Sequence, residues 1–343
     1  MKMARLVAIN GFGRIGRMVF RALVERQEDI EVAAINDLVD IKTLAHLLKY
    51  DSTYGRFPYP VKTEGDKLIV EAPHKTFEIK CLREPNPDKL PWKDMGVYLA
   101  IESTGVFRKR EQAELHLKAG AEKVLVTAPM KPADSADIQI LIGINDKDYD
   151  PKKHRVLSLA SCTTNAVAPT AYVLHKKIGI KSALMSTVHA VTNDQRLLDR
   201  PHRDLRRARA APWNIIPTTT GAAEAAALAI PELKGKMTGL ALRVPVITGS
   251  IVDLTAVLEK EVTKEEVNAL FKEASETYLK GILGYTEEPI VSTDIIKDPH
   301  SGIVDGLSTI AIGNLVKVLV WYDNEWGYSN RVVDMIKVIV EKG

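Results

Sequence analysis

A glycine-rich turn, GFGRIG at residues 11–16, lies between a short apolar run and a stretch with helical spacing. Residues 5–10 (RLVAIN) read as a buried parallel strand that ends at the glycines. Residues 14–26 place Ile15, Val19, Leu23 and Val24 on one helical face, and residues 31–36 (EVAAIN) read as a second strand. Strand, helix and strand fit the roughly thirty residues of one βαβ unit. In such a unit Gly11 permits the tight turn, Gly13 lets a pyrophosphate approach the backbone, and Gly16 lets helix and strand pack closely. The helix start offers N–H groups and a partial positive charge to an anion. Asp37 ends the second strand, 21 residues beyond Gly16. A carboxylate there accepts hydrogen bonds from a ribose 2′-OH and repels the extra phosphate of NADP, which points to NAD. The competing role for Asp37 is to cap the next helix.

The alternation continues. Residues 97–101, 123–127, 138–142 and 155–159 read as strands, and residues 109–119 as a helix closed by Gly120. Strands alternating with helices imply a doubly wound parallel sheet of the Rossmann kind, within an α/β class. The loops ESTG (102–105) and TAP (127–129) follow strands, where a ligand crevice forms, and are read as lining the cofactor. After residue 162 the texture changes. Helices are expected over 165–177, 221–229 and 263–280, and long strands over 183–189, 240–246, 250–258 and 316–322. Long strands without regular crossover helices suggest a second α+β domain built on a mainly antiparallel sheet. The expected division is a dinucleotide-binding domain over 1–161 and a catalytic domain over 162–324. The segment 325–343, with an amphipathic helix over 329–341, is expected to return to the first domain. Residues 192–217 form a long basic loop, and loops of that length are usually functional.

Composition excludes several classes. The 343 residues exceed what one core usually supports, so two domains are the default. Hydrophobic residues at 45% and charged residues at 27% suit a globular chain rather than a disordered one. A net charge of +3 is too weak to indicate nucleic acid. The concentrated basic stretch, residues 203–209, reads first as a solvated or ion-paired loop and second as the neighbour of an anionic ligand. Two cysteines, Cys81 and Cys162, give no disulfide framework and suit a reducing compartment. With no cleavable leader recognised at the N-terminus and no apolar run long enough to span a bilayer, a cytoplasmic location without membrane contact is expected. No metal site is expected.

The chemistry is carried by LSLASCTTN at residues 157–165, where a strand delivers Cys162 to a helix start. Unpaired N–H groups and the helix dipole there are expected to stabilise a thiolate. Cys81 lies in the strand-like run FEIKCL (77–82) and is expected to be an inert packed thiol. A cysteine nucleophile needs a base, and His189, at the end of the strand over 183–189, is the candidate; a neutral imidazole serves near pH 7.

At this point the sequence closely resembles the phosphorylating glyceraldehyde-3-phosphate dehydrogenase family, nearly end to end. The anchors are INGFGRIGR (9–17), ASCTTN (160–165), RRARAA (206–211), IIPTTTG (215–221), LRVP (242–245) and WYDNEWGYSN (321–330). The resemblance implies Cys162 as nucleophile and His189 as base. It implies that Arg14 and Ile15 line the pyrophosphate, Asp37 the adenosine ribose, and Asn324 the nicotinamide amide, with Arg83, Thr104 and Thr127 completing the cofactor set. Thr192, Asp194 and Arg243 match the site for the substrate's phosphate. Ser161, Thr163, Thr220 and Gly221 match that for inorganic phosphate. It further implies NAD-dependent conversion of glyceraldehyde 3-phosphate to an acyl phosphate through a thiohemiacetal and a thioester, and a homotetramer in which the loop over 191–214 meets a neighbour.

Two departures stand out. Ala166 occupies the position where the family often has a second cysteine, which removes a partner for an inactivating disulfide. Arg200 stands where NAD-specific members often carry a small or apolar residue, and a cation there leaves NADP use open. The competing functions are erythrose-4-phosphate dehydrogenase on the same scaffold, which releases a free acid, and a nucleotide- or RNA-binding protein without catalysis.

Overall fold

The computed structural model describes residues 5–343, which fall into two compact units. One holds residues up to Ile140, Asp148–Ala160 and Ser329–Gly343; the other holds Leu141–Lys147 and Ser161–Tyr328. The reading of the N-terminus as lacking a leader falls on residues outside those described.

The first unit is built on β1 (Leu6–Asn10), α1 (Arg14–Glu25), β2 (Val32–Asn36), α2 (Ile41–Lys49), β3 (Val61–Glu64), β4 (Lys67–Glu71), β5 (Thr76–Leu82), β6 (Val97–Glu102), α3 (Arg110–Lys118), β7 (Lys123–Val126), β8 (Ile138–Gln139) and β9 (Val156–Ser158). Its sheet runs β3-β4-β5-β2-β1-β6-β7-β9-β8. From β5 to β8 the pairings are parallel; β3, β4 and β5 form an antiparallel extension. Val7, Ala8 and Ile9 of β1 are buried on both faces, which is why that run reads as continuously apolar. β1 has β2 on one side and β6 on the other, so strand order reverses there, and ligands of such sheets bind beyond the strand carboxyl ends at the reversal. The register aligns Asn10 with Asn36 and with Glu102, setting three polar side chains abreast at that edge. The expected strand over 138–142 shrinks to the two residues of β8, because Leu141 onward turns into the other unit.

The second unit contains α4 (Cys162–Lys177), β10 (Ile180–His189), β11 (Ile216–Thr219), α5 (Ala222–Ala229), β12 (Met237–Arg243), β13 (Ser250–Leu258), α6 (Lys264–Glu276), β14 (Leu283–Thr286), β15 (Gly302–Asp305), β16 (Ile310–Ile312) and β17 (Leu315–Tyr322). Its sheet runs β11-β12-β10-β13-β17-β15-β14, with β16 on β17. Burial alternates residue by residue along β13, the signature of a sheet with one covered face. The sheet is mainly antiparallel, but β10 and β12 run parallel, and their register sets His189 beside Arg243 at the strand ends. Ser250 pairs with Tyr322 at the same end of β13 and β17. The expected strand over 240–246 begins earlier and stops at Arg243. The helix expected from residue 165 starts at Cys162, because Ser161 caps it: its hydroxyl accepts the Thr164 N–H at 3.1 Å. α6 opens with a capping box, Thr263 with Glu266.

The last helix, α7 (Trp326–Lys342), contributes its residues from Ser329 on to the first unit, where Arg26 bonds Asn330 and Asp334 and Lys337 bonds Glu28. Among the described residues no helix is long and apolar enough to cross a membrane.

Candidate active site

In the first unit, α1 (Arg14–Glu25) follows Gly13, whose position before the helix supplies no side-chain cap, so its leading N–H groups stay available to an anion. A Cβ on Gly13 would meet nothing within 4 Å, an open flank beside those N–H groups. The other two glycines are fixed by the protein itself. A Cβ on Gly16 would stand 2.1 Å from the Gly11 carbonyl oxygen, and Gly11 has φ 89° with Thr104 N at 2.6 Å from a would-be Cβ. A clean separation is expected. Gly16→Ala strains the β1–α1 contact and costs about 1–3 kcal/mol of stability. Gly13→Ala leaves the melting temperature nearly unchanged and weakens NAD binding tenfold or more. Equal NAD affinity in Gly13→Ala and wild type would remove the pyrophosphate from this turn; calorimetric titration and thermal melts check both.

Asp37 accepts the Phe12 N–H at 2.8 Å and the Val39 N–H at 3.1 Å, which fixes its carboxylate to the glycine turn. It does not cap the following helix: Asp40 does, accepting from Thr43 N. Arg14 pairs with Asp51 and lies over the Tyr54 ring, Ile15 is partly exposed, and Arg83 donates to the Leu38 carbonyl at 2.9 Å. Thr104 is exposed above the sheet edge, while Thr127 is buried with its N–H and hydroxyl on the Glu102 carbonyl. These residues fit a dinucleotide: an uncapped helix start for its phosphates and a fixed carboxylate for a ribose.

In the second unit, Cys162 is the first residue of α4 and its Sγ lies 3.4 Å from His189 Nε2. The chain reaches this point through Ala160, whose φ of 54° is a strained value for a residue with a side chain. His189 is 3% exposed, and its Nδ1 stands 2.7 Å from the Ala190 carbonyl and 2.7 Å from Arg243 Nη1. One nitrogen cannot donate to the carbonyl and accept from the guanidinium with the same proton position. With Nδ1–H on the carbonyl, Nε2 presents its lone pair to the sulfur, and Arg243 Nη1 finds its own acceptor in the same carbonyl at 3.1 Å. Burial, and then the Arg243 charge, push the His189 imidazole down to about 3, so it is neutral at working pH.

The thiol itself corrects the expectation of a stabilised thiolate. Burial pushes Cys162 above its ordinary value; Arg243 and the Thr163 contacts oppose this without reversing it. Desolvation at the half-buried thiol therefore works against the helix start, beside an imidazole held neutral. Cys81 is pushed up to about 11 by burial, with no base beside it: its Sγ reaches the Ile79 carbonyl. Thiol alkylation at pH 7 is therefore expected to be at least tenfold faster at Cys162, slower in His189→Asn, and faster at both cysteines as pH rises. Peptide mass mapping over a time course measures it, and earlier labelling of Cys81 would contradict the role given to His189.

The supporting groups come from several strands. The Tyr322 hydroxyl bonds Thr163 Oγ1 at 2.9 Å and Thr187 Oγ1 at 2.8 Å, and its ring meets the His189 ring edge-on at 6.0 Å. Asn324 is buried with Oδ1 accepting from Ser250 Oγ at 2.9 Å. Thr192 N bonds Gln195, Thr220 Oγ1 accepts from Ala222 N, and Gly221 precedes α5. Asp194 is expected at a phosphate, but its carboxylate faces Arg207. Burial works against the charged form, yet Arg207 and His202 hold Asp194 below the usual carboxylate range. Arg207 is a functional candidate missed from sequence. Arg203, Arg206 and Arg209 of the basic stretch are exposed, whereas Arg207 turns inward to Thr218 Oγ1 and the Thr219 carbonyl. Nothing in four closely spaced arginines marks which one turns. The Arg243 Nε is buried without a hydrogen-bond partner, a donor aimed at an acceptor the protein does not supply.

A Rossmann-type sheet with an uncapped glycine turn, together with a cysteine beside an imidazole, is the equipment of an NAD-dependent oxidoreductase. Family models agree: the glyceraldehyde 3-phosphate dehydrogenase NAD binding domain matches residues 5–110, and the C-terminal domain of the same family matches residues 161–324. Among curated relatives, glyceraldehyde-3-phosphate dehydrogenase of Thermotoga maritima is 60% identical over 341 residues, covering 99% of this chain and 100% of the relative. That of Geobacillus stearothermophilus is 57% identical over 342 residues, and glyceraldehyde-3-phosphate dehydrogenase 1 of Bacillus subtilis 55% over 342, each with 99% of this chain and 100% of the relative covered. The chain belongs to the glyceraldehyde-3-phosphate dehydrogenase family.

Proposed function

We propose that this enzyme oxidises glyceraldehyde 3-phosphate with NAD and inorganic phosphate to the acyl phosphate, with the dinucleotide held by residues 1–161 and the covalent chemistry by 162–324. The observation that carries the reading is the 3.4 Å approach of Cys162 Sγ to an imidazole nitrogen at the head of α4. Cys162 adds through sulfur to the aldehyde carbon while its proton ends on the carbonyl oxygen, giving a thiohemiacetal whose hydroxyl carries that proton. When bound, NAD supplies the hydride acceptor. His189 Nε2 takes the hydroxyl proton as the C–H bond breaks, and the carbon becomes a thioester carbonyl. Backbone N–H groups at the start of α4 stabilise the oxygen as charge develops. Phosphate then attacks the thioester carbon, Cys162 leaves as thiolate, and the proton on His189 returns to it.

Anion recognition divides between two cations. Arg243, with its orphaned Nε, and Thr192 suit the substrate's phosphate. Thr220, Gly221, Ser161 and Thr163 suit the incoming phosphate, with Arg207 as its charge partner. A carboxylate repels phosphate, so Asp194 serves by holding Arg207. NAD is preferred over NADP because Asp37 is fixed at the glycine turn; Arg200, in an exposed loop, is the residue that tempers exclusivity.

A homotetramer is part of the proposal. It is supported by Leu197, Leu198, Leu205 and Trp213, all more than 70% exposed on the loop after β10, an apolar surface that an isolated chain would not keep. A cytoplasmic location rests on two cysteines that are free thiols.

Initial rates with NAD or NADP, each with and without phosphate, test the reading. NADH formation that depends on phosphate and prefers NAD is expected. Equal turnover without phosphate would favour release of a free acid, and no NADH under any condition would favour a binding protein.

A further inference from the structure

Beneath the glycine turn lies a chain of buried polar groups that the chemistry above does not use. Trp92 and His116 are fully buried and Glu102 is 1% exposed. The indole N–H of Trp92 donates to His116 Nδ1 at 3.0 Å. An indole N–H can only donate, so Nδ1 is the acceptor and the ring proton sits on Nε2. Nε2–H then donates to Glu102 Oε2 at 2.9 Å, and Asn10 Nδ2 donates to the same oxygen at 2.6 Å. The other oxygen, Oε1, accepts the Thr104 N–H at 2.9 Å and the Thr104 hydroxyl. Four donors converge on one carboxylate and fill its acceptor sites. Asn10 is itself fixed, since its Oδ1 accepts from Asn36, whose amide closes on the Glu84 backbone.

The chain ends at the turn. A Cβ on Gly11 would stand 2.6 Å from Thr104 N, so only glycine fits beside the loop, and Ser103 Oγ donates to the Gly11 carbonyl at 2.6 Å. Glu102 therefore sets the height of the 103–105 loop against the glycine turn.

We propose that Glu102, backed by His116 and Trp92, is a positioning residue for the dinucleotide: it holds Thr104 and Asn10 so that the glycine turn is in its binding conformation before cofactor arrives. The proposal rests on the reading that the glycine turn and Thr104 line the cofactor. A glutamine at 102 cannot replace the carboxylate, because one of its ends is an NH₂ that must face donors, leaving buried groups unpaired. A pre-organised loop lowers the cost of binding without touching the bond-breaking atoms, so its loss should appear in cofactor affinity rather than in the chemical step.

The full-length enzyme carrying Glu102→Gln is compared with wild type for NAD dissociation constant, KM for NAD, kcat, melting temperature and Cys162 alkylation rate. KM and the dissociation constant for NAD are expected to rise at least tenfold. The kcat should stay within threefold, with unchanged alkylation of the cofactor-free enzyme. A KM within twofold of wild type overturns the proposal whatever happens to the melting temperature. A parallel fall of kcat and alkylation rate also overturns it, since that marks a general structural role. If Glu102→Gln does not fold, His116 decides. His116→Gln keeps a donor toward Glu102 and should stay within threefold of wild type in KM, whereas His116→Phe removes it and should raise KM tenfold. Equal values for those two variants overturn the proposal. Wild type that binds no NAD would instead sink the dinucleotide reading itself, which separates the two failures.

Discussion

Cys162→Ser is expected to lose NAD-dependent aldehyde oxidation by more than about 10⁴-fold, the scale seen when a covalent nucleophile is removed, while remaining folded and binding NAD. The imidazole beside it explains the size of the effect. His189 is pushed to about 3 by burial and by Arg243, so it is a weak base. It can take a proton that the reaction itself is making acidic, but it cannot generate an alkoxide from a serine hydroxyl. A thiol gives up its proton far more readily than a hydroxyl and sulfur is the stronger nucleophile, so a weak base suffices at Cys162 but not at serine. The residues proposed to hold the phosphates and the ribose of the dinucleotide, Gly11 to Gly16 and Asp37, belong to the other unit, so NAD binding is expected to survive the substitution. NADH absorbance and NAD titration measure the two halves; turnover by the serine variant within tenfold of wild type would remove the covalent step.

His189→Asn is expected to slow acylation by about 10² to 10⁴-fold, the usual span for loss of a general base, or roughly 3 to 5 kcal/mol of barrier. The same variant carries a pH signature. In the unfolded chain the imidazole titrates at its ordinary value near 6.5, and in the native chain near 3. Between those values the unfolded state binds more protons, so native stability falls as pH drops through 6.5 toward 3. Above the window the group is neutral in both states and contributes no slope. Asparagine does not titrate, so the variant should lose less stability than wild type between pH 6.5 and the acid limit of the native state. Denaturant midpoints at several pH values, together with single-turnover rates, measure both effects. An unchanged acylation rate would take His189 out of the mechanism.

The parallel half of the fold was legible because its determinants are local. Short apolar runs that end in glycine read as buried strands meeting tight turns, and residues 5–36 span the length of one βαβ unit, with Asp37 at its end. The delivery of Cys162 by a strand to a helix start was legible from its local run, while the cap at Ser161, which moves that start from the expected 165 to Cys162, was not. What was not legible depends on pairing between distant segments. The parallel register of β10 with β12, which sets His189 beside Arg243, joins strands separated by a loop and a helix. The inward turn of Arg207 is decided by Thr218 and Asp194, not by its immediate neighbours. The thiolate expected at Cys162 follows from the helix start alone, whereas desolvation raises the thiol, a tertiary effect that sequence does not display. In sequence Glu102 is only the first residue of the loop ESTG, read as lining the cofactor; the alignment of three strand ends makes it a junction.

The most direct measurement uses stoichiometric enzyme with NAD and glyceraldehyde 3-phosphate, phosphate withheld, quenched in acid and mapped by peptide mass. One acyl group on the peptide bearing Cys162, formed with one equivalent of NADH and discharged on adding phosphate, is the predicted result. NADH produced with Cys162 unmodified, or an acyl group carried by Cys81, would contradict the account.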